Sequence, residues 1–185
     1  MSQADILGRL KDIISAVAGI GIVHDYERSS RSPAEWLDIM TSGGKINGWT
    51  ISREATESEW EYHTTNRLRH IFKIKGYYAV DDANASEKTF QELVDLVRKA
   101  FNNNETLTGT SLRLIAEANG DEVATEALIE LQQESSEISY NEDGDALISG
   151  PAQIDYVGIR EIAPDSGYYV HVAELTLAAD EREIR

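Results

Sequence analysis

The chain has 185 residues, 41% of them hydrophobic, with no cysteine and 33 acidic against 17 basic residues, a formal net charge of -16. That length supports one ordinary domain with a full core, and the missing thiols exclude a disulfide scaffold, thiolate metal sites and cysteine nucleophiles, which suits a reducing cytoplasm. No apolar run reaches the roughly 18 residues of a membrane span, the first residues alternate charge with apolar side chains where a signal peptide needs an unbroken apolar stretch, and the acidity argues against a duplex-binding module because phosphate neutralisation needs a basic face.

Residues 2–18 place Ile6, Leu10, Ile13, Ile14 and Val17 on one side, which predicts an amphipathic helix ended by Gly19. Residues 20–23 form a short apolar strand, and the run from His24 through Arg28 to Pro33 is an exposed loop. Pro33 at a first-turn position, followed by Glu35, Trp36, Leu37, Ile39 and Met40, predicts a short second helix terminated by Gly43-Gly44. A strand over 45–53 buries Ile46 and Trp49, and residues 54–66, rich in Thr, Glu and Ser, make a mobile connection.

From Leu68 the pattern has period two. Leu68, His70, Phe72, Ile74 and Tyr78 fall on one side and Arg69, Lys73 and Lys75 on the other, the signature of a half-buried strand with a basic stripe. After Asp81-Asp82-Ala83 the period becomes helical, with Phe90, Leu93, Val94, Val97 and Phe101 inward, Asn84 or Ser86 as the cap, and Asn102-Asn103-Asn104 as the stop. A turn and strand follow over 107–114. Residues 116–150 then carry ten Asp or Glu and no Lys or Arg, an acidic insertion between late strands with a short helix at 121–133 and a loop or weak hairpin at 134–150. Residues 153–162 and 167–178 form a hairpin around a turn at 164–167, and the polar tail after Asp180 frays. The sum is an α+β domain over residues 1–185, two or three helices packed in two layers on a mainly antiparallel sheet.

The string IFKIKGYYAVDDANASEKTFQELVDLVRKAFNNNETLTGT, preceded by an amino-terminal helix, GIGIVHDYER and INGWTISR and followed by YYVHVAELTLAADE, resembles the tail terminator (tail completion) proteins of long-tailed bacteriophages and prophages. The likeness covers about residues 1–112 and 153–180. It lies in the order and composition of elements, and the acidic insertion departs from the family's shorter connection. What it implies is a structural virion protein, assembled in the bacterial cytoplasm and placed at the head-proximal end of the tail. A homo-oligomeric ring, expected to be a hexamer, would cap the tail tube protein, stop its polymerisation and meet a head-completion or connector protein. DNA would pass through without sequence-specific binding, and neither catalytic residue nor cofactor is called for.

The residues themselves offer little chemistry. Asp81, Asp82 and Glu87 have the oxygen-rich character of a hard-cation site, but adjacent Asp residues before a helix ordinarily serve as turn and cap. His24, His63, His70 and His171 lack zinc spacing, with His70 and His171 expected as satisfied core or interface groups, and Gly19-Ile20-Gly21 precedes a strand instead of a phosphate-facing helix. Positive charge concentrates in Arg28, Arg31, Lys45 and Arg53 and in the Arg69, Lys73, Lys75 stripe. That stripe is either a solvated sheet face or edge or a docking surface for a neighbouring copy's acidic insertion. Trp60, in a polar stretch, is the aromatic expected at an interface, so the candidate interface residues are Arg28, Arg31, Trp60, Arg69, Lys73 and Lys75. Two alternatives stand beside the ring terminator: a head-tail connector or other minor tail protein, and a small metal-binding enzyme or ligand-binding domain.

Overall fold

The computed structural model describes residues 3–28, 30, 32–62, 65–102, 147–148, 151–162 and 168–184. Helix α1 (Gln3–Ser15) turns Ile6, Leu10, Ile13 and Ile14 inward, as residues three and four apart must share a face. Strand β1 (Ile22–His24) follows. In α2 (Pro33–Met40), Ser32 Oγ accepts the Glu35 amide at 3.2 Å and Pro33 occupies the first turn. The helix stops at Met40, before Gly43-Gly44. Those two glycines instead join β2 (Thr41–Ser42) to β3 (Lys45–Tyr62), pairing Ser42 with Lys45. Their φ values of 61° and 80° are what a two-residue hairpin of primed type requires of both central residues.

Strand β4 (Thr65–Ala79) leads through a 3₁₀ turn at Asp82–Asn84 into α3 (Ser86–Asn102), whose Phe90, Leu93, Val94, Val97 and Phe101 are buried as their spacing predicts. The cap differs from expectation. Ser86 Oγ accepts the Asp81 amide, Asn84 Nδ2 donates to Asp81 Oδ2, and Ala85 before the helix sits at φ 50°. Later come β5 (Leu147–Ile148), β6 (Gln153–Glu161) and β7 (Tyr169–Ile184).

The strands lie in the order β1-β3-β4-β7-β5, with β2 added to β3 and β6 to β7. Every pairing is antiparallel except β1 with β3. The molecule is thus α+β, a mostly antiparallel sheet packed against helices. Alternation assigns its two faces. Trp49, Ile51, Phe72, Ile74, Ala173, Leu175 and Leu177 share the face that packs on α1 and α3, where Phe90 stands among Trp49, Tyr78 and His171 at 5.8–6.2 Å between ring centroids. The opposite face carries Gly48 and Tyr77, against which Met40 and Trp36 of α2 pack. The helices therefore take both faces, where a two-layer packing was predicted.

Three further expectations are corrected. Residues 54–62 are not a mobile connection: they continue β3, paired from Ala55↔Ile71 to Tyr62↔Thr65 past a bulge after Arg53. Nor does the chain fray at Asp180, since β7 runs to Ile184, which pairs with Thr65. Both stretches look like loop because their own residues are mostly polar, and their extended form comes from pairing with β4. Finally, the end of the acidic segment, expected as a loop or weak hairpin, carries a short strand that pairs with β7. Leu147 and Ile148 pair with Asp180 and Ala179, and Ile148 joins the core. The predicted strand at 107–114, the helix at 121–133, the turn at 164–167 and most of the insertion lie outside the described residues.

Candidate functional site

The sheet face that α1 and α3 leave uncovered carries a cluster of charged side chains. Strand alternation sends Lys73, Lys75 and Tyr77 of β4 to this side, with Val172 and Glu174 of β7 and Arg160 of β6 beside them. Glu174 is the hub: its carboxylate lies 3.2 Å from Lys73 Nζ and accepts Arg160 Nη1 at 2.6 Å. Lys75 Nζ donates to Glu27 Oε1 at 2.6 Å, and the Arg160 guanidinium lies over the Tyr156 ring, 4.2 Å from its centroid. Trp36, Lys75, Tyr77, Arg160, Val172 and Glu174 line a shallow groove of about 190 Å3.

These surroundings set two protonation states. Burial pushes the Glu174 carboxyl up, but hydrogen bonds and charge from Lys73 and Arg160 outweigh it and hold the group below its ordinary value, so it is ionised at neutral pH. Tyr77 is pushed up to about 12, first by burial and then by the negative charge of Glu27 and Glu174. The face is therefore an ion-paired lattice of fixed charge with a neutral phenol in it.

The basic stripe read from the sequence is real, and its acids come from the same chain. Lys73 meets Glu174, Lys75 meets Glu27, and Arg69 Nε lies 3.8 Å from Asp180 Oδ1. Arg67 Nη2 donates to Asp180 Oδ2 at 2.6 Å, within a carboxylate that is fully buried. Arg28 holds the Tyr26 hydroxyl and lies over that ring. Trp60 is 54% exposed on the extension of β3. Arg31 and His63 lie outside the described residues. The structure thus brings Lys73 and Lys75 together on one face, sets Arg69 and Trp60 on the extension and leaves Arg28 in the loop after β1.

Asp81 is engaged as a turn residue, its carbonyl accepting the amides of Asn84 and Ser86. His171 Nε2 lies 2.9 Å from Ser86 Oγ in the core. His70 is buried with Nε2 donating to Glu181 Oε2 at 3.2 Å and Nδ1 2.9 Å from Thr56 Oγ1. His24 Nε2 donates to the Ile39 carbonyl. All three are satisfied structural groups. No helix among the described residues is long and apolar enough to cross a membrane.

Sequence inspection overlooked Glu174, Arg160, Arg67 and Asp180. Glu174 was visible as the one charge within YVHVAELTLAA, but its partners depend on strand register, which composition does not give. No protein-family model matches the chain, and no curated protein matches it either.

Proposed function

We propose that the chain is a structural subunit of a long-tailed phage or prophage particle, a tail terminator that closes into a ring, a hexamer by resemblance, on the head-proximal end of the tail tube. There it stops tube growth and offers a surface to the head-completion protein. The supporting observation is a sheet left open on two flanks, at β6 and at the outer side of β3 beyond Thr50, where the described residues contain no pairing strand. A subunit with two different open flanks makes heterologous contacts, and such contacts form a ring when the rotation closes. The net charge of -16 suits a passage along which DNA phosphates move without adhering. Electron microscopy of tails carrying a labelled copy of this chain tests the assignment. The expected result is a ring at the head-proximal end, with overlong, headless tails when the gene is deleted; terminated tails that lack the chain would sink it.

A further inference from the structure

Five of the chain's exposed large apolar side chains fall in one hairpin: Ile154, Val157 and Ile159 on β6, with Tyr168 and Tyr169 at the start of β7. Ile159 is 51% exposed, and among the described residues β6 pairs only with β7. A strand edge with no neighbour among the described residues, carrying exposed apolar side chains, is a ready template for another strand. The strand directions say which one. With β3 running up, β4 runs down, β7 up and β6 down, so a second copy in the same orientation presents a downward β6 to an upward β3. The ladder stays antiparallel across the boundary without inverting either molecule.

We infer that β6 of one copy pairs antiparallel with the outer edge of β3, residues 52–60, of the next copy; the closed ring this would build rests on the function proposed above, but the contact itself does not. Faces and charges select a register. Val157 and Ile159 lie on the α3 side of the sheet with Ala173 and His171, and Thr56, Ser58 and Trp60 lie on that side with His70, Leu68 and Asn66. Setting Ser58 opposite Val157 and Thr56 opposite Ile159 keeps that side continuous. The bulge at Asp155 then brings Ile154 opposite the exposed Trp60, an aromatic on a β-branched residue. On the other side Arg160 falls diagonal to Glu57, within reach of an opposite charge. Two β3 edges centred on Ser58 would set Glu57 against Glu59.

The chain has no cysteine, so a disulfide reads the contact directly. Ser58→Cys/Val157→Cys, oxidised in concentrated solution, should give a ladder of covalent oligomers on a non-reducing gel, while each single variant stays one chain long. Ile159→Lys in that background should abolish the ladder without lowering the melting temperature, since its side chain is half in water. Self-dimers of Val157→Cys alone, no cross-linking of the pair in concentrated protein, or a ladder that survives Ile159→Lys would each overturn the inference. Cross-linked oligomers of a protein that microscopy fails to find on tails would leave this contact standing and remove only the tail assignment.

Discussion

Phe72 and Trp49 show how single positions hold this fold. Both are fully buried on the face that packs against α1 and α3, so Phe72→Ala should lower the free energy of unfolding by about 3–5 kcal/mol through lost burial and the cavity left behind. Gly76 is the reciprocal case. It pairs with Trp49 across the strands, and a Cβ built there meets the indole ring at 2.7 Å, so Gly76→Ala should cost about 1–3 kcal/mol through overpacking. Trp49→Leu on its own is a large-to-smaller core change, but combined with Gly76→Ala it should recover much of the alanine's penalty. Urea denaturation of the two singles and the double measures this coupling; strictly additive losses would show that the ring does not set the need for glycine.

At the scale of elements, the long strands are held by different forces along their length. The half under α1 and α3 is an apolar core. The extension is polar, and there Asp180 is buried against Arg67 with His70, Thr56 and Glu181 bonded across β4, β3 and β7. Strand β5 ties the far end of the acidic segment to this structure through Ile148. A Gly-Ser linker replacing residues 121–145, which keeps β5, should therefore leave the domain folded, since loop length changes closure entropy only slowly. A linker replacing 121–149 removes β5 and a core isoleucine and should lower stability by about 2–5 kcal/mol more. Equal denaturation midpoints for the two variants would show that β5 contributes nothing.

For the whole molecule, stability should follow pH through the charged face. The folded pKa of Glu174 lies below its ordinary value of 4.5, so its contribution is present above that value and is lost as pH falls through the depressed one. Glu174→Gln should be less stable than the natural protein at neutral pH, and the gap should shrink on acidification. Denaturation curves across that range check it; a gap independent of pH would mean the carboxylate charge is not what counts. Tyr77 acts at the other extreme. Its hydroxyl keeps its proton up to about 12 in the folded chain against 10.0 ordinarily, so stability falls as pH rises between those values. Ultraviolet titration should show a late-ionising tyrosine that disappears in Tyr77→Phe.

The sequence by itself determined the elements that bury a face: α1, α3 and the core half of β4 follow from periodicity, because one face must be apolar and the other wet. It also determined that Lys73 and Lys75 share a side, which is a matter of alternation. Only the tertiary structure decided that 54–62 and 181–184 are strand, since their order comes from pairing with β4 and not from their own polar composition. Likewise it decided that Glu174, Glu27 and Asp180 are the partners of the basic stripe. Those contacts join residues from 48 to 111 positions apart, and no local pattern in the chain encodes the register that brings them together.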